Sequence, residues 1–224
     1  MKPGEIDTRR TEQNTVCFSG HRKLCPAEIP VIRQRLRQVI RESYMNGYRW
    51  FICGGALGFD TLAALEVLAA KAEYPDIRLY LAIPCDDQDA RWPERDRKIY
   101  REIMLAADET MVLSPCYFTG CMHLRNQFMV HHASVCICWL KNFSGGTGYT
   151  VRYAISCNRC IINLCMKDSS GMIKEPSWNS TYIFPSVSAN ALTAHSIPLP
   201  VAAGKKWKNM YLRFSGKRVS GNRS

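Results

Sequence analysis

The chain has 224 residues, 46% of them hydrophobic and 22% charged, with a net charge of +11. That length supports one domain with a substantial core, and no apolar run reaches the ~18 residues a membrane helix requires, so a membrane partner is not expected. The start Met1-Lys2-Pro3-Gly4-Glu5-Ile6-Asp7 lacks the apolar middle of a secretory signal, and the eleven cysteines are an odd number, several in strand-like runs; both point to a cytoplasmic protein with reduced core thiols.

Residues 1–14 are polar and read as a frayed arm. Thr15-Val16-Cys17-Phe18 reads as a short buried strand, with Ser19-Gly20-His21-Arg22 as the loop after it. Pro26 and Pro30 bracket a helix start, and Ile29, Ile32, Leu36, Val39 or Ile40, and Tyr44 recur at helical spacing up to Asn46-Gly47. Arg33, Arg35, Arg37 and Arg41 fill the rest of that helix and read as a solvated face. Arg49 to Cys53 is a second strand, and the helix from about Phe59 to Ala72 is apolar nearly all round. A strand over 77–83 ends at Pro84. A helix from about Trp92 to Ala107, a strand over 109–113, a helix over 121–132 and a strand over 134–140 follow. A helix over 147–157 and a strand over 160–164 complete the series.

Strands alternating with helices, with little period-2 alternation inside the strands, indicate an α/β fold: a Rossmann-like three-layer sandwich with a mostly parallel sheet. We place that domain at 15–175. Residues 176–224, with Pro176, Pro185, Pro198 and Pro200, read as an irregular extension in which Ile183-Phe184 and Tyr211 to Phe214 could form short edge strands. The extension holds seven basic residues and no acid. Of the chain's 30 basic and 19 acidic residues, 23 basic and all 19 acidic therefore lie in 1–175, a charge of +4 there. The basicity belongs to the tail, as a solvated extension or as a nucleic-acid contact.

Two glycine turns carry the chemistry. Gly54-Gly55-Ala56-Leu57-Gly58-Phe59-Asp60 follows the second strand, and Ser144-Gly145-Gly146-Thr147-Gly148-Tyr149-Thr150 follows the fifth. Each joins a strand to a helix N-terminus, where free N–H groups and a positive dipole end suit a phosphate. Ligands of such sheets bind beyond the carboxyl ends of the strands, where both turns lie. The cysteine pairs Cys157/Cys160 and Cys136/Cys138 lack a second well-spaced pair, so no metal site is assigned.

These residues resemble a known group. Phe18-Ser19-Gly20-His21-Arg22, Gly54 through Ala63, Pro84-Cys85-Asp86-Asp87-Gln88 with Trp92, Gly120-Cys121-Met122 with Arg125-Asn126, and Gly145-Gly146-Thr147 with Thr150-Val151 come in the order of the YpsA-like group of the SLOG superfamily, named for DprA/Smf and LOG proteins. The resemblance runs from about Thr15 to Leu164. It implies a Rossmann-like fold and a nucleotide-derived ligand. The superfamily includes sensors of NAD-derived or cyclic ADP-ribose signals, phosphoribohydrolases that cleave an N-glycosidic bond, and DprA, which binds single-stranded DNA. LOG enzymes follow their glycines with a catalytic glutamate, whereas the turn here continues Thr150-Val151-Arg152-Tyr153. His131-His132 stand where the group's pattern has an acid.

The resulting expectation is a homo-oligomeric binder of a nucleotide or an NAD- or ADP-ribose-derived molecule, a sensor or sequestering protein in conflict between phage and bacteria. A nucleotide N-glycosidase and a DprA-like single-strand binder using the basic tail are the alternatives. Ser144, Gly145, Gly146 and Thr147 would hold a phosphate, with Thr150 adding a contact, unless Thr147 merely caps a helix. Gly54, Gly55, Ala56 and Gly58 would form the other wall, with Asp60 accepting ribose hydroxyls or simply complementing the dipole. Ser19, Gly20, His21 and Arg22 would add a cation and a ring, and Pro84, Cys85, Gln88 and Trp92 an amide and ring for a base, although Trp92 could equally be core. Arg125 would neutralise a second phosphate and Asn126 bond a base or sugar edge, or Arg125 would form a structural pair with Asp108 or Asp96.

Overall fold

A computed structural model describes residues 9–165. The elements run β1 (Thr15–Gly20), α1 (Ile29–Met45, entered through a 3-10 turn at Pro26–Glu28), β2 (Trp50–Cys53), α2 (Phe59–Ala70), β3 (Arg78–Ile83), α3 (Glu94–Ala106), β4 (Glu109–Val112), α4 (Cys121–His131), β5 (Val135–Trp139), α5 (Gly145–Ser156) and β6 (Cys160–Asn163). All six strands are parallel, in the order β4-β3-β2-β1-β5-β6. The chain builds outward from β1 to β4 and then crosses back to lay β5 on the other side of β1. The strand order therefore reverses between β1 and β5, which is where ligands of open parallel sheets bind.

The sheet is covered on both faces. Val16, Phe18, Phe51, Leu79, Leu81, Val135 and Ile137 form one core with Ile32, Leu36 and Val39 of α1, Phe59, Ala63 and Val67 of α2 and Ile103 of α3. Alternate strand residues point the other way, and there Tyr80 meets Phe128 of α4 edge-on with ring centroids 6.2 Å apart. This is the three-layer α/β sandwich that the alternating pattern predicts.

Three local expectations need correction. The arginines of α1 do not form a uniformly solvated face: Arg35 is buried and donates to the Leu164 carbonyl, while Arg33 and Arg37 converge on Glu66 of α2 at 2.5 and 2.7 Å. Glu66 is itself buried on a helix that reads as apolar nearly all round, so two of the four arginines are the complement of one hidden acid. Residues 9–14 are not frayed. The Asn14 carbonyl accepts the Arg49 and Trp50 amides, and Arg10 lies 4.0 Å from the Tyr80 ring centroid while pairing with Glu109. Finally, β1 continues through Ser19 and Gly20, which pair with Cys138 and Trp139; β5 outruns β2 there and keeps the ladder going. The basic tail and its two possible edge strands lie outside the described residues.

Candidate functional site at the β1–β5 crevice

Three loops meet at the carboxyl edge, and the sequence shows why they can. A Cβ on Gly20 would lie 2.3 Å from the Phe59 ring, and one on Gly58, where φ is +80°, would lie 2.3 Å from the Arg22 carbonyl oxygen. Only glycine allows that approach. The Phe59 amide donates to the His21 carbonyl at 3.2 Å, joining the loops after β1 and β2. The Lys141 amide donates to His21 Nε2 at 3.2 Å, joining the loops after β1 and β5. Because Nε2 accepts, the neutral ring carries its proton on Nδ1. Burial, and then the Lys141 charge, lower the His21 pKa from its ordinary value. The Lys141 ammonium itself pairs with Glu28 at 2.7 Å.

The two glycine turns are not equivalent. The first is closed. Gly54, Gly55 and Ala56 are buried, and a Cβ on Gly54 would sit 1.7 Å from the Arg125 guanidinium. Arg125, also buried, donates to the Gly54 carbonyl, reaches Asn126 Oδ1 at 2.7 Å and pairs with Asp60 at 3.8 Å. Burial raises the Asp60 pKa, against the pull of Arg125, the Ala56 and Gly54 amides and Arg22. The anion served by this turn is thus the protein's own. Gln88 closes the turn from the other side, donating to the Gly55 carbonyl at 3.0 Å, and Trp92 packs edge-on to Tyr100 at 5.2 Å. Pro84 and Cys85 are buried beneath, with the Cys85 thiol pushed up to about 12, chiefly by burial.

The second turn is open. Ser144, Gly145 and Gly146 are exposed at the start of α5, and no side chain caps that end. Gly145 has φ +67°, which itself favours glycine. Gly146 has no such backbone demand, and a Cβ there would meet nothing within 4 Å. Thr147 and Thr150 turn inward; Thr150 donates to the Gly146 carbonyl at 2.9 Å. Arg22 is exposed, and its guanidinium touches the thioether of Met122, in the first turn of α4, at 3.8 Å.

Of the sequence-predicted residues, Ser19, Gly20, His21, Gly54, Gly55, Ala56, Gly58 and Asp60 thus build the walls, and Arg22, Ser144, Gly145 and Gly146 face outward. Arg125 and Asn126 are turned into the protein, and the carboxylate partner of Arg125 is Asp60, neither Asp108 nor Asp96. Asn163 had no place in the sequence reading. Its amide donates to the Leu140 carbonyl at 2.9 Å and its oxygen accepts the Leu140 amide at 3.0 Å, fixing the strand end that feeds the open turn. A polar amide closing the apolar run Cys160-Ile161-Ile162 was the available signal.

The comparisons with known proteins agree with this architecture. A UPF0398 protein of Halalkalibacterium halodurans is 31% identical over 104 residues, covering 46% of this chain and 55% of that protein. The chain therefore spans just over half the length of that relative. A UPF0398 protein of Bacillus thuringiensis is 24% identical over 159 residues, covering 68% and 86%. Among solved structures, DNA processing protein A from Helicobacter pylori superposes with a TM-score of 0.52 at 20% identity over 75% of this chain and 73% of that one, a likeness of fold. The profile of the YpsA family, described as the YspA SLOG family, matches residues 21–158, more than half of the sequence, and the chain belongs to that family.

Proposed function

We propose that this domain binds a nucleotide-derived phosphate, as in a nucleoside monophosphate or an ADP-ribose-like molecule, at the β1–β5 crevice, and acts as a sensor or sequestering protein. The observation that carries the reading is Gly146: neither φ nor packing demands glycine there, and a missing side chain on an exposed, uncapped helix end leaves its amides open to an anion. Arg22 supplies an exposed cation suited to a phosphate. In this reading Arg125 and Asp60 hold the neighbouring loop in shape without touching the ligand.

Binding is favoured over hydrolysis of an N-glycosidic bond. That chemistry calls on a carboxylate to act on the ribosyl cation or the water. Helix α5 carries no acid, and Asp60 is buried against Arg125 and two amides. Single-stranded DNA is the second reading. The Helicobacter pylori neighbour is described by its single-stranded DNA binding mode, and here Tyr117 and Phe118, 60% and 43% exposed, stand in the loop before α4. Titration with AMP, ADP-ribose and oligothymidylate, with chromatography of the mixture afterwards, separates the three. The proposal expects saturable binding of intact AMP or ADP-ribose, lost in Arg22→Ala. Released base would instead establish the hydrolase, and binding of the oligonucleotide alone would establish the strand binder.

A further inference from the structure

The aromatic side chains assigned to a base by sequence are committed elsewhere: Trp92 packs on Tyr100, and the Gln88 amide bonds the Gly55 carbonyl. A different aromatic assembly stands beside Arg22. Met122, which the Arg22 guanidinium touches, is followed by His123, an exposed residue in the first turn of α4. The His123 ring lies flat on that of Tyr149 in α5, with centroids 4.2 Å apart and planes 16° apart. Tyr149 is held from behind: its hydroxyl accepts the Gln127 amide at 2.7 Å, and its ring runs parallel to Tyr153, 6.2 Å away. Tyr153 in turn meets His131 Nε2 through its hydroxyl at 2.7 Å. The stack is thus held through Tyr149, and among the described residues His123 at its end is exposed.

We propose that the outer face of His123, backed by Tyr149, is the stacking platform for the base of a purine nucleotide whose phosphate is held at Arg22. The inference rests on the phosphate reading given above. A flat π-face already immobilised by its neighbours loses little conformational freedom when a base settles on it, and stacking accepts any base while favouring the larger ring. The Arg22 guanidinium contacts Met122 and the stacked ring belongs to His123, so the cation and the platform both lie at the first turn of α4. Tyr149 lies four residues beyond Gly145, on the same side of α5, which places the platform on the flank of the open turn.

The test compares AMP with ribose 5-phosphate by calorimetric titration of the full chain. Removal of His123 alone would uncover Tyr149 as a substitute surface, so both His123→Ala and the double variant His123→Ala/Tyr149→Leu are measured, with thermal denaturation to confirm folding. The expected result is that AMP binds the native chain more tightly than ribose 5-phosphate. The double variant then loses on the order of ten-fold in AMP affinity, the size typical of one base stack, while ribose 5-phosphate binding is unchanged. Equal affinity of the two compounds for the native chain, or an equal loss for both in the variants, overturns the platform and leaves the phosphate site standing. Failure of both compounds to bind the native chain overturns the phosphate reading and the platform with it. Oligothymidylate binding that survives the double variant but is lost in Tyr117→Ala/Phe118→Ala also overturns it, in favour of a strand laid across the other rim.

Discussion

Replacing Gly54 with alanine would test whether the closed turn is built around Arg125. The added methyl would lie 1.7 Å from a guanidinium nitrogen, 2.3 Å from Cζ and 2.7 Å from Asp60 Oδ2. The guanidinium is the far end of a flexible side chain and can swing away, so steric overlap is not the main cost. The cost is what the swing undoes: a buried ion pair with Asp60 and the bond to the Gly54 carbonyl. Breaking a buried pair typically costs about 3–5 kcal/mol. At ~2–4 °C per kcal/mol for a domain of this size, Gly54→Ala should melt on the order of 10 °C lower. Arg125→Met removes the same pair and should cost a similar amount. The two losses share one origin, so the double variant should be no less stable than Arg125→Met alone. That is a coupling of roughly 3 kcal/mol, far above the ~0.5 kcal/mol scatter of independent sites. Urea denaturation followed by circular dichroism measures all four corners of the cycle. Additive losses would refute the claim that Gly54 is glycine because of Arg125.

Other outcomes follow from the same coordinates. Gly148→Ala places a methyl 2.1 Å from the Phe143 carbonyl oxygen, a backbone atom that cannot swing aside, and should cost about 3 kcal/mol by thermal denaturation. Gly146→Ala meets open space, so it should keep or slightly raise stability while weakening phosphate binding in a titration. His21, His131 and His132 all have pKa values lowered from 6.5, each first by burial. The unfolded chain therefore binds more protons below that value; the stabilisation is complete above pH 6.5 and is lost as pH falls through the folded-state values. The raised Asp60 pKa gives a slope of opposite sign above 3.8. His21→Gln, which can still accept the Lys141 amide but does not titrate, should flatten the acid-side decline measured by urea unfolding between pH 7 and 5. Brief alkylation of the native protein, read by mass spectrometry, should mark the exposed Cys25 and Cys116 and spare the buried Cys17, Cys53, Cys85, Cys121, Cys136 and Cys138 until unfolding.

The helices were legible from their period and the strands from short apolar runs that lack one. Short buried runs such as Trp50-Phe51-Ile52-Cys53, alternating with helical stretches, admit few layouts other than parallel strands feeding helices. The order of the strands was not, since nothing local in Val135 to Trp139 says that it returns to β1. What the sequence hid most was the commitment of charge. Arg35, Glu66, Asp60 and Arg125 carry the residue types of a solvated surface or a ligand site, and each is buried against a partner found only through the fold. Arg125 and Asp60 are 65 positions apart and meet because α4 crosses back over the sheet after β4. Spacing along the chain holds no record of that meeting.

Two turns that look alike in sequence consequently do different work. In the loop after β2, Asp60 enters the first turn of α2, buried beside Arg125, and the amides of Gly54 and Ala56 favour its charged form. In the loop after β5, the first turn of α5, Gly145-Gly146-Thr147-Gly148, offers no carboxylate, and among the described residues no side chain caps that helix end. An internal anion fills one turn permanently and stabilises the crevice wall. In the proposed reading, the lack of one beside Gly146 is what lets the neighbouring turn take an anion from outside. Placing an acid at Gly146, the second residue of α5 as Asp60 is of α2, would on this logic convert the open turn into a second closed one.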